Sequence, residues 1–154
     1  QNPPRLVMVG RLSIQKNPLL AIRALALIKG LPWQLEVIGE GPLGDSMREC
    51  VEESELSDRV KFSGWLAAAE VSSRLAASDI LLMTSTSEGL PMAGIEALRH
   101  GLAIVGSRIG GLMDVVADGK NGLLCDLTPE DFAKALREVL ENPDRLLAMR
   151  AASS

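Results

Sequence analysis

The stretch ILLMTSTSEGLPMAGIEALRHGLAIV, from Ile80 to Val105, decides the fold of this chain. It opens with the aliphatic run Ile80 to Met83, passes through a polar segment into the helical pattern Met92 to Arg99, and closes with a second aliphatic run, Ala103 to Val105. Aliphatic runs that are near-continuous rather than alternating are typical of strands covered on both faces. The stretch therefore predicts one β-α-β unit of a parallel sheet.

The same alternation continues outward in both directions. Four more aliphatic runs predict the remaining strands: Leu6 to Val9, Leu35 to Ile38, Val60 to Phe62 and Leu123 to Cys125. Six more helices are predicted: Pro18 to Lys29, Leu43 to Leu56, Ala67 to Ala77, Leu112 to Ala117, Pro129 to Glu141 and Pro143 to Ala152. Asn17 before Pro18, and Thr128 before Pro129, are predicted helix caps. The fold class that follows is α/β, a single Rossmann-like, doubly wound, mostly parallel six-stranded sheet with helices on both faces.

Length and composition narrow the protein class. The 154 residues suffice for one domain, residues 1–154, and its 16 basic against 20 acidic side chains give a net charge of −4. That balance predicts neither nucleic-acid binding nor attraction to an anionic membrane. Cys50 and Cys125 lie far apart in the sequence and form no metal-binding pattern, which predicts two buried, reduced thiols.

With no signal peptide and no apolar run of membrane-spanning length, we expect a cytoplasmic location. Because the chain starts at Gln1 and enters a strand almost at once, we expect a piece of a longer protein.

Ligands of open α/β sheets bind beyond the carboxyl ends of the strands, so the loops after the strands are the places to search. The first loop, Gly10 to Lys16, carries Arg11 and Lys16. Their side chains suit phosphate oxygens, since Arg offers a planar fork and Lys a compact charge. The alternative is that both are solvated surface charges.

The second loop, Gly39 to Gly44, matches the G-x-G-x-x-G pattern of dinucleotide-binding domains. Pro42 removes a backbone N–H where such a loop uses donors, and the next strand ends in Ser63-Gly64-Trp65 rather than in an acidic residue. We therefore favour a tight strand-to-helix turn and keep a nicotinamide-binding domain as an alternative.

The loop after the fourth run is the most unusual segment of the chain. It combines hydroxyl side chains with Glu88, Gly89, a helix-initiating Pro91 and a second carboxylate, Glu96. The free N–H groups at a helix start form an anion site that the helix dipole strengthens. A carboxylate in the second helical turn can accept paired bonds from hydroxyl groups. The alternatives are that Glu88 only favours the helix dipole and that Glu96 is a solvated helix position.

Other chemistries find no support in the sequence. His100 is the only histidine and no serine lies in a G-x-S-x-G elbow, which argues against a hydrolase triad. Asp79 precedes its strand and is predicted to be a turn residue. Gly110 and Gly111 precede a helix; close backbone approach is one interpretation, and a flexible turn is the one we favour.

Taken together, these segments resemble a known enzyme family. The motifs that carry the resemblance are Gly10-Arg11-Leu12 with Lys16, Leu35 to Pro42, Val60 to Trp65, Ser87 to Pro91 with Glu96, Ala97 and Gly101, and Gly110-Gly111 with Asp114-Val115-Val116. The chain resembles the C-terminal, donor-binding domain of the retaining glycosyltransferases of family four, "group one", which have the GT-B fold and include glycogen and sucrose-phosphate synthases. The likeness runs from about Leu6 to Ala151.

The resemblance implies a role for each matching residue. Arg11 and Lys16 would hold the diphosphate of a UDP- or GDP-sugar and neutralise the leaving group, Glu88 would contact the transferred sugar, and Glu96 would bind the ribose. The other donor-binding positions that it implies are Gly10, Gly64, Trp65, Gly89, Leu90, Pro91, Met92 and Ala93. Among these, the backbone of Trp65 would border the nucleobase.

The resemblance also implies a reaction. A hexose would pass with retention from a nucleoside-diphosphate sugar to a glycan, lipid or small-molecule acceptor, with no cofactor and no metal. An N-terminal domain absent from this chain would supply the acceptor site and any membrane association, so the isolated chain would bind the donor without transferring it. Asp114 stands where the family often has Glu, and Ala103 where it often has Pro. An epimerase of the same fold and a plain binding module are further alternatives.

Overall fold

A computed structural model describes residues 2–89 and 91–153 of the chain. Six strands form one sheet: β1 Arg5–Val9, β2 Gln34–Ile38, β3 Val60–Gly64, β4 Ile80–Met83, β5 Ala103–Ser107 and β6 Gly122–Cys125. Every pairing between these strands is parallel, and their order is β3-β2-β1-β4-β5-β6. The predicted doubly wound α/β fold is therefore confirmed.

Helices cover both faces of this sheet. They are α1 Pro18–Ala26, α2 Gly44–Glu53, α3 Ala68–Ala76, α4 Met92–Arg99, α5 Gly110–Met113, α6 Pro129–Leu140 and α7 Pro143–Ser153. One core contains buried residues of α1, α2, α6 and α7, and a second contains buried residues of α3, α4 and α5. No helix within residues 2–89 and 91–153 combines the length and the apolar character that a membrane span needs.

Successive residues of a strand belong to different cores, which explains the continuous aliphatic runs. Leu6 and Met8 of β1 lie in the core under α1, whereas Val7 lies in the core under α3 and α4. All three are less than a tenth exposed. A parallel sheet covered on both faces must be apolar on both faces, so a strand of this kind shows no polar alternation.

Helices α1, α2 and α5 end three or four residues before their predicted ends, and α2 ends at Glu53 rather than Leu56. Helix α1 ends at Ala26 rather than Lys29, because the N–H groups of Leu27 and Ile28 bond to carbonyls three residues back in a tighter turn. Helix α5 covers Gly110–Met113 rather than Leu112 to Ala117. Its glycines therefore belong to the helix and not to a turn in front of it.

The two predicted caps also have different outcomes. Thr128 caps α6, since its hydroxyl accepts a 3.1 Å hydrogen bond from the Asp131 N–H. Asn17 precedes α1, but it adopts a left-handed conformation (φ 50°, ψ 51°) and its side chain makes no capping bond. The prediction of a side-chain cap at Asn17 is therefore wrong.

The two cysteines differ in burial, so the prediction of two buried thiols holds for Cys125 only. Cys125 is 1% exposed, whereas Cys50 is half-buried, and both are free thiols. Burial above all, together with the nearby carboxylates of Asp131 and Asp118 and against a lowering contribution from Arg108, raises the pKa of the Cys125 thiol to about 12. A thiol is reactive only as its thiolate, so Cys125 should be inert at neutral pH.

Thiol labelling at pH 8 is expected to modify Cys50 in the folded chain and to reach Cys125 only after denaturation. The Cys50→Ser variant is the control, and rapid labelling of its native form would contradict the assignment.

The dependence of folding stability on alkaline pH tests the raised pKa of Cys125. The unfolded thiol ionises near 9.0 and the folded one near 12, so folding stability should fall as pH rises through this window. Cys125→Ala should remove that fall.

Candidate functional site

The crevice of the fold lies between β1 and β4, where the order of the strands reverses. From β1 the chain builds toward β2 and β3, and from β4 it builds toward β5 and β6. The loops after β1 and β4 therefore diverge on the two sides of a crevice at the carboxyl edge, the usual ligand position in such sheets. A small cleft at this point is lined by Val9, Gly10, Arg11, Lys16, Thr84 and Ser85, among others.

Hydrogen bonds join these two loops, although they lie about 70 positions apart in the sequence. The Thr86 N–H donates to the Gln15 carbonyl at 2.9 Å, and the Gln15 side-chain amide donates to the Ser87 carbonyl at 3.1 Å. The Thr84 hydroxyl donates to the Asn17 carbonyl at 2.8 Å. Because backbone groups on both loops take part, these hydrogen bonds fix the position of one loop relative to the other beside the crevice.

An ion pair also joins the two loops. Lys16 Nζ is 2.5 Å from Glu88 Oε2, and the side chain of Glu88 is only 6% exposed against 30% for Lys16. The Ser85 hydroxyl donates to the same carboxylate oxygen at 2.8 Å. The interpretation of Lys16 as a solvated surface charge is therefore wrong. Arg11 is exposed and forms no ion pair with any residue of the described ranges 2–89 and 91–153.

Helix α4 begins at Met92, directly after this loop, and the Met92 side chain is 61% exposed. Pro91 precedes the helix and its carbonyl accepts the first intrahelical bond, from the Ile95 N–H at 3.0 Å. By helix geometry the N–H groups of the first turn, at Met92, Ala93 and Gly94, have no acceptor within the helix. These N–H groups are the donors that the predicted anion site would use, and anion binding there stays a prediction. The predicted contribution of Leu90 lies outside the described residues.

Gly111 of α5 packs against the backbone of the loop that carries Glu88. A Cβ atom at Gly111 would lie 2.6 Å from the Gly89 carbonyl oxygen and closer still to that of Glu88. Gly111 is buried, whereas Gly110 is exposed and has open space at its Cβ position. The favoured interpretation of this pair as a flexible turn is wrong for Gly111, because its backbone contacts the backbone at Glu88.

Glu96 lies on α4 with one carboxylate oxygen unsatisfied. Its Oε1 accepts a long 3.5 Å hydrogen bond from the Ser72 hydroxyl, while its Oε2 is buried and has no hydrogen-bond partner in the described chain. The Arg99 guanidinium lies 3.5 Å from Oε2, within ion-pair distance but outside hydrogen-bond geometry. Arg99 is mostly exposed, so this contact is weak. The Glu96 side chain as a whole is 36% exposed, so its carboxylate is available to a donor from outside the chain, and a role in ligand binding stays a prediction.

Comparison with known proteins identifies the family. The model for "Glycosyl transferases group 1" matches residues 1–153. The chain belongs to this family. This assignment agrees with the resemblance inferred from the motifs, and it gives no support to the epimerase or nicotinamide-binding alternatives.

Individual relatives agree with the assignment. The chain is 32% identical to a D-inositol 3-phosphate glycosyltransferase of Kineococcus radiotolerans, over 95% of this chain and 38% of that protein. It also superimposes on the Anabaena protein HepE in complex with UDP with a TM-score of 0.88 at 25% identity, covering 99% of this chain and 43% of HepE. A crystallised C-terminal domain of a group 1 glycosyltransferase from Francisella tularensis has the same fold, with a TM-score of 0.88 over 99% of this chain and 84% of that domain, at 23% identity.

The coverage is asymmetric, because the chain spans about two fifths of the length of the curated relatives that it matches. The fractions are 38% of the Kineococcus radiotolerans enzyme and 38% of a 2-deoxystreptamine glucosyltransferase of Streptomyces kanamyceticus. The matched part contains the crevice at β1 and β4, whereas most of each relative lies outside it.

The glycine-rich loop of this group 1 domain serves backbone packing. A Cβ at Gly39, which has a φ of +133°, would collide with the Gly10 carbonyl, and a Cβ at Gly41 would collide with the backbone of Leu12. These glycines let the loops after β1 and β2 approach each other. The structure thus confirms the tight turn over the dinucleotide-binding interpretation.

The end of β3 continues the same edge of the sheet. The Gly64 carbonyl accepts a 2.8 Å hydrogen bond from the Gly39 N–H, and Gly64 has a positive φ of 68°. Trp65, the next residue, is 73% exposed. Its indole therefore contributes little to the core, which leaves it accessible for a ligand at this edge.

Asp79 has a structural role at the opposite edge, as predicted. Its Oδ2 accepts a 2.8 Å hydrogen bond from the Arg5 N–H, and its Oδ1 pairs with the Arg150 guanidinium at 2.6 Å. The Arg150 side chain also donates to the Gly101 carbonyl at 2.9 Å. Asp79 thus joins β1 and α7 far from the crevice.

In the described part of the chain, no three His, Cys, Asp or Glu side chains lie close enough together to hold a metal ion.

Sequence reasoning did not find the residues that hold the site together. Ser85 and Thr84 were noted only as hydroxyls of an unusual segment, and Gln15 and Asn17 received no role in the crevice. Their partners are backbone groups or side chains on the other loop. A usable signal existed only for Ser85, which precedes Glu88 by three residues.

Proposed function

We propose that this chain binds the nucleotide-sugar donor of a retaining glycosyltransferase in the crevice between β1 and β4. The observation that carries the proposal is the Lys16–Glu88 ion pair next to the free N-terminus of α4. Cationic and anionic groups are thus adjacent, as a ligand with a charged diphosphate and a hydroxyl-rich sugar requires. The complex of the related HepE with UDP supports the same class of ligand.

The diphosphate has three sources of positive potential in this arrangement. Lys16 and Arg11 line the cleft, Arg11 is exposed, and the first-turn N–H groups of α4 have no acceptor within the helix. Arg forms bidentate bonds to phosphate oxygens, and a helix N-terminus attracts anions through its dipole. These groups would also stabilise the negative charge that develops on the departing diphosphate, which is the role that a metal ion has in other enzymes. The absence of a metal requirement stays a prediction.

Binding of the diphosphate must compete with Glu88 for Lys16. In the unliganded chain the Lys16 ammonium is neutralised by a carboxylate that is 6% exposed. A phosphate oxygen offers Lys16 a second anionic partner, after which Glu88 can accept hydrogen bonds from hydroxyls of the transferred sugar. This exchange assigns Glu88 to the sugar and Lys16 to the diphosphate.

Glu96 is the group for the ribose. A ribose carries two adjacent hydroxyl donors, and a carboxylate accepts two such bonds side by side. The buried Oε2 of Glu96 lacks a hydrogen-bond partner in the described chain, and a ribose hydroxyl would supply it. The backbone of Gly64 and of the exposed Trp65 borders the nucleobase in this arrangement.

The chemistry requires a part of the enzyme beyond this chain. In a retaining transfer the acceptor oxygen bonds to the anomeric carbon on the face from which the diphosphate leaves, and the bond from that carbon to the diphosphate oxygen breaks. We place the acceptor site on an N-terminal domain, in keeping with the partial coverage of the relatives. The isolated chain would bind the donor and transfer nothing. A cytoplasmic location of the protein stays a prediction.

A thermal-shift panel tests donor binding. UDP, GDP and ADP, their sugar conjugates and NAD are compared on the isolated chain. A ligand at a hundred times its Kd should add about 2.7 kcal/mol of stability, which is roughly 5–10 °C for a domain of this size. We expect one nucleoside diphosphate and its sugar conjugate to give this shift, and Glu96→Ala to reduce it.

Three outcomes would each contradict a part of the proposal. Stabilisation by NAD without stabilisation by any nucleoside diphosphate would favour the nicotinamide-binding alternative. Equal shifts for wild-type chain and Glu96→Ala would remove Glu96 from the site. Sugar transfer by the purified chain to added acceptors would overturn the assignment of the acceptor site to another domain.

A further inference from the structure

Ser85 is a buried residue of the crevice to which the proposed function gives no role. It directly follows β4, is 2% exposed, and donates its hydroxyl to Glu88 Oε2 at 2.8 Å. Lys16 Nζ approaches the same oxygen at 2.5 Å. We infer that Ser85 is a positioning residue for Glu88, which selects the sugar conjugate over the bare nucleoside diphosphate. The inference rests on the proposed function, because it assumes that Glu88 meets the sugar.

The exchange of partners at Lys16 explains why a second donor is needed. When the diphosphate attracts Lys16, Glu88 loses its ionic partner while its carboxylate stays almost fully buried. A buried carboxylate without a donor is strongly disfavoured, so Glu88 alone would rotate away from this position. Ser85 lies within the same loop, three positions from Glu88, and so remains in place during the exchange. Its hydroxyl keeps the carboxylate oriented toward the sugar.

The neighbouring hydroxyl has a different partner and provides a matched comparison. Thr84 is as buried as Ser85, at 1% exposure, but its hydroxyl bonds to the backbone carbonyl of Asn17 at 2.8 Å. It therefore holds the two loops together and does not touch Glu88. Removing the Thr84 hydroxyl should weaken every ligand of the crevice alike, whereas removing the Ser85 hydroxyl should act on the sugar alone.

Calorimetric titration separates these effects. UDP is compared with UDP-glucose, and GDP with GDP-mannose, and the preference is the ratio of the Kd of the diphosphate to the Kd of its conjugate. Loss of one hydrogen bond to a charged group predicts that Ser85→Ala lowers this preference about tenfold and changes the Kd of the diphosphate less than about threefold. Thr84→Val should leave the preference unchanged. Ser85→Thr keeps a hydroxyl at this position and should retain the wild-type preference.

A double-mutant cycle distinguishes positioning from general destabilisation. Glu88→Ala should lower the preference by itself, and Ser85→Ala added to it should have no further effect on the ratio. Additive effects, or a preference unchanged by Ser85→Ala while Glu88→Ala abolishes it, would overturn the inference and leave the proposed function intact. If the wild-type chain binds neither pair, the proposed function fails and this inference with it. Denaturation of each apo variant checks that it is folded.

Discussion

Replacing Lys16 by Met is expected to weaken UDP or GDP binding at least about 30-fold and to destabilise the unliganded chain by about 2 kcal/mol. Both effects follow from its ion pair with Glu88. Lys16 is the partly buried cation of the cleft, and its loss removes the charge that competes for the diphosphate. It also leaves a carboxylate that is 6% exposed without an ionic partner. Calorimetric titration measures the first effect and urea denaturation the second.

Two further variants separate affinity from stability. The double variant Lys16→Met with Glu88→Gln replaces the unpaired carboxylate by a neutral amide, so it should recover most of the lost stability and none of the affinity. Lys16→Arg keeps the charge and should retain measurable binding. If Lys16→Met binds the diphosphate as tightly as wild type, the cleft is not the diphosphate site.

The sheet could be predicted from the sequence because each strand carries its own local signal. The runs at Leu6, Ile80 and Ala103 are apolar on both faces, and only a covered parallel strand demands this pattern. Helix ends were less accurate. The end of α1 depends on a tighter turn at Leu27 and Ile28, whose side chains favour a continuing helix equally well.

The crevice could be predicted only in part. The position of the loops after β1 and β4 follows from topology, and the residue types of Arg11, Lys16 and Glu88 follow from phosphate and sugar chemistry. The pairing of Lys16 with Glu88 depends on the register between two loops 72 positions apart. No local sequence pattern indicates how the two loops align. Their alignment is fixed by the hydrogen bonds between Gln15 and the loop after β4.

Glycine positions show the same limit. Nothing in the sequence distinguishes Gly110 from Gly111, and both residues belong to α5. Only packing distinguishes them, since one is exposed and the other touches the backbone of Glu88 and Gly89. A flexible turn was a reasonable expectation for the pair, and the neighbouring loop rather than the local sequence makes it wrong.

This difference within the pair leads to a sharp expected result. Gly111→Ala should weaken binding of the sugar conjugate more than about tenfold and destabilise the chain by about 2 kcal/mol, because overpacking displaces a neighbour that is itself backbone. The added Cβ lies 2.6 Å from the Gly89 carbonyl, so the loop that carries Glu88 must move. Displacement of that loop also disturbs the contacts of Glu88 with Lys16 and Ser85.

Gly110→Ala is the matched control for this prediction. It makes the same substitution in the same helix, one residue away, where no atom lies within 4 Å of the new Cβ. Alanine favours a helix over glycine by up to about 1 kcal/mol, so this variant should bind as wild type does and be equally or slightly more stable. Equal conjugate affinities for Gly111→Ala and Gly110→Ala would show that Gly111 does not set the loop position. A loss confined to Gly111→Ala would mean that α5 acts on the donor through backbone contact, without any side chain in the crevice.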